Sequence, residues 1–234
     1  MQEFIISLFI INIYAFDYIL KGFILKALII GENGGIGSAI SQKLKENNYE
    51  ILTIKSRLQE FTNLEKEIDE ISKKHNISAL ILCAGFGKFD PLEAMKSQEI
   101  INLINVNLSA NLIITSKLLK NLKQNKAHII AISSIEALRF SKFSSIYSAS
   151  KAGLRAFLLS LFEEARRDIK VTCINADITK TPFYENLRFE PDDDINSFID
   201  TDEIANFALE ILRTKSVVTD ITIRPKIIKI KKKS

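Results

Sequence analysis

Tyr147 and Lys151 are the side chains of this sequence best placed to move a proton, and Ser134 precedes the tyrosine by 13 positions. Residues four apart share one face of a helix. A free phenol, with a pKa of about 10, exchanges protons poorly at neutral pH, whereas a neighbouring ammonium favours its phenolate. A serine hydroxyl from a separate strand can bind the carbonyl oxygen that the phenol protonates. The pair alone is also typical of an ordinary helix surface, so its meaning depends on the rest of the chain.

A glycine-rich turn lies upstream of these residues. The apolar run at 26–30 leads directly into residues 31–37, which read G-E-N-G-G-I-G, and a helix-like segment follows. In a strand–turn–helix context, glycines let the backbone approach a pyrophosphate, and the helix N-terminus offers free N–H groups. The turn therefore predicts dinucleotide binding, which turns the tyrosine and lysine downstream into candidate catalytic residues.

From about Lys26 to Pro225 the chain resembles the short-chain dehydrogenase/reductase family, in its compact single-domain subclass. The resemblance rests on G-x-x-x-G-x-G in the turn, on Cys-Ala-Gly after a central strand, on a serine at a strand end and on Y-x-x-x-K. It implies four catalytic residues, which are Ser134, Tyr147, Lys151 and Asn107. It also implies that the cofactor contacts Gly31, Asn33, Gly35, Ile36, Gly37, Ala84, Gly85, Tyr147, Lys151, Ile178 and Thr181.

The activity that the resemblance implies is hydride transfer between NAD(P)(H) and a carbonyl or alcohol substrate. Tyr147 is then the general acid/base, and Lys151 lowers the pKa of the phenol and binds the nicotinamide ribose. Ser134 hydrogen-bonds the substrate oxygen, and Asn107 positions a water that relays the proton. Two alternatives stay open: a dinucleotide-binding sensor or scaffold without catalysis, and a membrane-associated reductase.

The sequence departs from the family pattern in three places. Ala176-Asp177 stands where the family has Pro-Gly, which predicts a carboxylate beside the nicotinamide, either altering cofactor geometry or suited to a cationic substrate group. Leu82-Cys83 replaces two asparagines that brace the central strands. The stretch from Arg57 to Cys83 is shorter than in the family, which predicts the loss of a helix and of much of the third strand.

The end of the second predicted strand bears on which dinucleotide binds. An acid at this point binds the ribose 2′-hydroxyl of NAD, and a basic residue accommodates the 2′-phosphate of NADP. The site falls on Lys55, Ser56 and Arg57, with no acid among them. We therefore predict NADP(H) over NAD(H), although Gly34 stands where NADP-preferring relatives often carry another basic residue.

Short apolar runs alternate with helix-like segments along the chain. Runs of this kind, apolar throughout, are typical of parallel strands buried on both faces. The alternation predicts an α/β fold, a doubly wound, Rossmann-like parallel sheet flanked by helices on both faces, in a single domain at 25–225. The predicted strands are 26–30, 50–54, 78–83, 127–133, 169–175 and 217–223, and the predicted helices are 36–47, 63–74, 97–121, 146–167 and 202–213.

Composition is that of a globular protein, with 234 residues, 47% hydrophobic and 26% charged residues, and a net charge of +4. Two cysteines in apolar runs give no disulfide framework, which indicates a reducing, cytoplasmic location. His75 and His128 lack metal-ligand spacing, so we predict no metal. The expected partner is a small carbonyl or alcohol; neither nucleic acid nor a membrane is predicted as one. Substrate identity is not predicted.

Both ends of the chain and one internal segment leave alternatives open. Residues 1–24 are a wrongly assigned start, an extra helix or a membrane anchor, since the apolar run is short for a span. The basic tail at 226–234 is a solvated terminus or a contact for nucleic acid or an anionic membrane. Residues 182–200 form the predicted substrate lid, and their acidic triplet at 192–194 is a solvated turn or a contact for a basic substrate.

The resemblance also implies a homodimer or homotetramer, paired through the long helices at about 106–121 and 146–167. Small residues on the second helix permit close approach of a partner, or simply pack against the chain's own sheet; they are Ala149, Ala152, Gly153 and Ala156.

Overall fold

A computed structural model describes residues 24–233 of the protein, and its centre is a six-stranded parallel sheet. The strands run in the order β2-β1-β3-β4-β5-β7, and every neighbouring pair is parallel. A separate antiparallel pair is formed by β6 and β8. The strands are Leu25–Ile30 (β1), Tyr49–Leu52 (β2), Ala79–Leu82 (β3), His128–Ile132 (β4), Lys170–Ala176 (β5), Phe189–Pro191 (β6), Asp220–Ile223 (β7) and Ile230–Lys232 (β8).

Six α-helices of the described chain connect these strands. The predicted helix at 97–121 is interrupted by a π-helical turn at Asn105–Ser109, which separates α3 from α4. The helices are Gly35–Glu46 (α1), Phe61–Lys74 (α2), Ser97–Ile104 (α3), Ala110–Gln124 (α4), Ser145–Ala165 (α5) and Thr201–Arg213 (α6).

Alternate residues of each strand enter two separate cores. In β1, Leu28 and Ile30 face the core built with α2, α4 and α5, whereas Ala27 and Ile29 face the core built with α1 and α6. Each fully buried leucine or isoleucine contributes about 1.5–3 kcal/mol, so both faces of the sheet must be covered. The predicted doubly wound sheet with helices on both faces is confirmed.

The connection between β2 and β3 contains a single helix, α2. The sheet therefore ends at β2, which among residues 24–233 pairs only with β1. This agrees with the shortening predicted from the stretch between Arg57 and Cys83.

The antiparallel pair joins the predicted lid to the basic tail. β8 lies along β6, and the ammonium of Lys231 contacts Glu190 at 3.2 Å and Asp193 at 3.0 Å. Lys229 contacts Asp192 at 3.1 Å. The two charged runs bind each other because they are opposite in sign and adjacent in space. The tail and the acidic triplet are therefore paired with each other, and since both keep solvent-exposed residues, their interpretations as a solvated terminus and a solvated turn are not contradicted.

The N-terminal segment at 1–23 lies outside the described residues, so its three interpretations stay as predictions. Within residues 24–233, no helix combines the length and apolarity needed to cross a bilayer.

Candidate active site

The glycine turn is held by contacts that exclude side chains. Gly31 has a φ of +88°, and a Cβ at Gly37 would lie 2.1 Å from the carbonyl oxygen of Gly31. A Cβ at Gly35 would lie 2.7 Å from Cγ2 of Thr181, so two predicted cofactor-binding positions, far apart in sequence, meet here. Since α1 begins at Gly35, its free N–H groups belong to the same glycine turn.

Ala84 and Gly85 follow shortly after β3 and lie opposite the glycine turn. A Cβ at Gly85 would come within 3.2 Å of Oδ1 of Asn107 and 3.3 Å of Nζ of Lys151. The absence of a side chain at Gly85 therefore leaves room for two predicted catalytic side chains beside the predicted cofactor site. Asn33 is exposed in the turn, and Ile36 is half-buried at the start of α1.

The structure brings Ser134, Tyr147 and Lys151 together at the carboxyl ends of the strands. Ser134 follows β4, and its Oγ accepts a hydrogen bond from the amide of Glu136 at 3.1 Å. Tyr147 lies in the first turn of α5, and Lys151 follows one turn later. The Lys151 ammonium donates to the carbonyl of Ile132 at 2.9 Å and lies 6.0 Å from the centroid of the tyrosine ring.

Asn107 lies in the π-helical turn and is fully buried. Its Oδ1 accepts from the amide of Phe86 at 3.0 Å, and its Nδ2 donates to the Phe86 carbonyl at 2.9 Å and to Ser150 Oγ at 3.2 Å. The side chain therefore joins the loop after Gly85 to α5, and π-helical turns are often found at functional sites. The water-positioning role stays a prediction.

Burial is the largest cause of the pKa shifts of Tyr147 and Lys151. It raises the pKa of Tyr147, a shift that hydrogen bonding from the Ser134 side chain only partly opposes and that the charge of Glu136 adds to. Burial lowers the pKa of Lys151 to about 8. In this arrangement Lys151 is not among the groups that shift the pKa of the phenol, so its role in lowering that pKa stays a prediction.

Aromatic rings from the loop after Gly85 and from the lid cover the catalytic phenol. The ring centroid of Tyr147 lies 5.2 Å from that of Phe89 and 5.9 Å from that of Phe183. Phe189, on β6, lies 5.2 Å from Phe89 and closes the cluster from the lid side. The tail on β8 thus supports the strand that carries part of this cover.

The structure corrects the prediction for Asp177. Its carboxylate is 3.3 Å from Nη2 of Arg139 and 2.9 Å from Nε of Arg224, and Oδ1 also accepts from the amide of Ile178. Two guanidinium groups compensate this buried charge, so it is not free for a cationic substrate group. The amide of Ile178, a predicted cofactor contact, is engaged by the same carboxylate.

Two carboxylates at the site were missed by sequence reasoning. Glu136 is buried and accepts hydrogen bonds from Ser141, from Ser144 and, at 3.1 Å, from the hydroxyl of Ser148, so it ties the Ser134 loop to the start of α5. Burial acts to raise its pKa, but these donors outweigh burial and lower it. The only sequence signal was an acid two positions after Ser134.

The second missed carboxylate is Glu67, which α2 brings to the end of β2. It accepts from the amides of Lys55 and Ser56, both at 2.8 Å. The side chains of Lys55 and Arg57 are exposed at the same end of the strand. Residues 55–57 themselves contain no acid, as the sequence indicates, and the structure adds one from a helix farther along the chain.

Comparisons with known proteins agree with this geometry. The family profile described as short chain dehydrogenase matches residues 62–192, more than half of the chain. The 3-oxoacyl-[acyl-carrier-protein] reductase of Buchnera aphidicola is 31% identical over 185 residues, covering 69% of this chain and 76% of that protein.

Solved structures share the fold at low sequence identity. An alcohol dehydrogenase from the archaeon Thermococcus sibiricus, complexed with 5-hydroxy-NADP, has a TM-score of 0.77 at 19% identity, covering 86% of this chain and 96% of that one. A 3-ketoacyl-(acyl-carrier-protein) reductase from Brucella melitensis, complexed with NADH, has a TM-score of 0.76 at 18% identity, covering 87% and 98%. With the profile match and the relative from Buchnera, these findings show that the chain belongs to the short-chain dehydrogenase/reductase family of oxidoreductases.

Proposed function

We propose that this protein transfers a hydride between a nicotinamide dinucleotide, NADP(H) in preference to NAD(H), and the carbonyl or alcohol carbon of a small molecule. The observation that carries the proposal is the meeting of Ser134, Tyr147 and Lys151 beside the glycine turn. The relatives named as 3-oxoacyl reductases make 3-oxo thioesters one class for a substrate screen.

The turn fits a dinucleotide because its glycines allow close backbone packing at the start of α1, where free N–H groups can bind a pyrophosphate. Gly31, Gly35 and Gly37 would face the pyrophosphate, and Thr181 would lie on the nicotinamide side. Lys55 and Arg57 would lie on the side of the adenosine ribose, where their charges support the 2′-phosphate of NADP(H). When bound, the cofactor supplies the hydride to the substrate carbon or accepts it.

The proton balance of the reaction falls to this chain's own residues. In the reductive direction, Tyr147 donates its phenolic proton to the substrate oxygen as the carbon becomes an alcohol carbon. The phenol is protonated at neutral pH, so its proton is available to the substrate oxygen, whereas the burial that raises its pKa opposes giving that proton up. Ser134 Oγ accepts from the Glu136 amide, which leaves the serine proton for the substrate oxygen. Lys151 binds ribose hydroxyls and lies one turn from the phenolate that proton donation leaves.

Assembly and location complete the proposal. We infer a cytoplasmic homodimer or homotetramer. Ala149 and Ala156 are exposed on α5 and available to a second copy. Gly153 faces inward, because its Cβ would lie 3.0 Å from Leu108 of the same chain. Only part of the small-residue face is therefore open to a partner.

The test is titration of NADPH and NADH into the full-length protein, followed by a screen of carbonyl substrates. Nicotinamide fluorescence reports binding, and loss of absorbance at the reduced nicotinamide band reports turnover. Tyr147→Phe should bind cofactor like the wild type and lose turnover by at least about 100-fold. Cofactor binding without turnover on any carbonyl would favour the non-catalytic sensor, for which the aromatic cover over Tyr147 is the supporting observation. Unchanged turnover in Tyr147→Phe would refute the mechanism.

A further inference from the structure

The end of β2 already holds an anion, and it belongs to the protein. The two oxygens of the Glu67 carboxylate accept separately from the consecutive amides of Lys55 and Ser56, each at 2.8 Å. The Ser56 hydroxyl also hydrogen-bonds this carboxylate. Two adjacent N–H groups with a hydroxyl beside them form a concave site for a negatively charged group.

These donors belong to the residues assigned above to the 2′-phosphate. Burial acts to raise the pKa of Glu67, but the hydrogen bonds from Ser56 and Lys55 and the charge of Lys55 outweigh burial, so the pKa is lowered and the group is ionised at neutral pH. A 2′-phosphate at this point therefore meets a fixed negative charge as well as the cations of Lys55 and Arg57. A carboxylate with two donors bound still has lone pairs for a ribose hydroxyl.

We infer that Glu67 is a specificity-determining residue of the dinucleotide site, opposing a 2′-phosphate and accepting a 2′-hydroxyl. The inference rests on the proposed function, since it concerns the same cofactor. Lys55 and Arg57 attract the 2′-phosphate, and Glu67 reduces that attraction. The preference for NADP(H) over NAD(H) is then the difference between these two effects, with Glu67 limiting it.

The experiment measures dissociation constants of NADPH and NADH for the full-length protein and three variants. Glu67→Gln keeps the shape of the side chain and one acceptor oxygen for the two amides, replaces the other oxygen with an NH2 group, and removes the charge. Removing one like charge near the phosphate should lower the NADPH-to-NADH ratio of dissociation constants by about 5- to 30-fold. Glu70→Gln changes net charge equally on the same helix, where Glu70 pairs with Lys74 at 3.2 Å, and should leave the ratio unchanged.

The third variant tests the location of the 2′-phosphate while leaving residue 67 unchanged. Lys55→Gln removes an exposed cation, so it should fold normally and shift the ratio in the opposite direction, against NADPH. An unchanged ratio in either Glu67→Gln or Lys55→Gln overturns the inference, as does an equal shift in Glu70→Gln. If the wild type binds neither dinucleotide, the proposed function itself fails and takes the inference with it. If both dinucleotides bind and only the ratios fail to move, the proposed function stands alone.

Discussion

Replacing Lys151 with methionine should stabilise the protein while abolishing its turnover. Lys151 is 4% exposed. Burial lowers the pKa of its ammonium to about 8 from the usual 10.5, although the nearby Cys173 and Cys83 act to raise it. A shift of this size, at 1.36 kcal/mol for each pKa unit, corresponds to about 3 kcal/mol of unfavourable burial at neutral pH. Methionine has a similar length and no charge, so this unfavourable contribution disappears.

The sign and the pH window follow from proton linkage. Below pH 8 the lysine is charged in both the folded and the unfolded state, and the full desolvation cost opposes folding. Between about pH 8 and the unfolded pKa, the unfolded state binds more protons, so the stability of the wild type rises with pH. The variant also loses the hydrogen bond to the Ile132 carbonyl, about 1 kcal/mol, which leaves a net gain of about 2 kcal/mol at pH 7.

Urea unfolding of the wild type and Lys151→Met at pH 7 and pH 9 measures this difference. The advantage of the variant should shrink by about 1 kcal/mol between the two pH values, as the wild-type lysine becomes neutral. Lys120→Met places the same substitution at an exposed position of α4 and should show no such pH dependence. A Lys151→Met protein that is less stable than the wild type at pH 7, or whose advantage is constant with pH, would refute the reasoning.

Three further predictions address the site and its cover. Glu136→Gln should lower turnover by about tenfold and keep dinucleotide affinity, because the loop before α5 loses one of the two carboxylate oxygens that accept its hydrogen bonds. A fall in affinity equal to the fall in turnover would contradict this. Gly37→Ala should lower the free energy of unfolding by about 1–3 kcal/mol and weaken dinucleotide binding. Gly34→Ala should be tolerated, because its Cβ would lie 3.3 Å from the nearest atom. Chemical denaturation compares the stabilities of the two variants, and titration compares their dinucleotide affinities. Lys231→Gln should speed proteolytic cleavage within 182–200 with little change in melting temperature, and equal cleavage rates would argue against the contact between tail and lid.

Local spacing was enough to predict the centre of the site. Gly37 contacts Gly31, and Tyr147 lies one helical turn before Lys151, so spacing carries these contacts, although Ala84 and Thr181 also pack against the turn. The doubly wound sheet was predictable for a similar reason, because strands buried on both faces must be apolar throughout.

The parts that sequence reasoning missed depend on contacts between distant segments. Glu67 reaches the amides of Lys55 and Ser56 from α2, at sequence separations of 12 and 11 residues, and no local pattern marks it. The alternative in which Asp177 serves a cationic substrate group was wrong because Arg139 and Arg224, which pair with it, come from separate loops. The pairing of the tail with the predicted lid does not follow from either charged run taken alone, although the two runs are opposite in sign.

The open side of the sheet gives Glu67 a second consequence. An edge strand exposes unpaired amides that can template association with another chain, and short length and nearby charge are the usual protections. β2 has four residues, with Glu50 paired to Lys26 at 2.9 Å, and Glu67 covers the two amides just beyond its end. A substitution made there to exchange one dinucleotide for the other would also uncover part of that edge. On the proposed role of Glu67 in dinucleotide preference, a variant that changes this preference would therefore need a new acceptor for these amides.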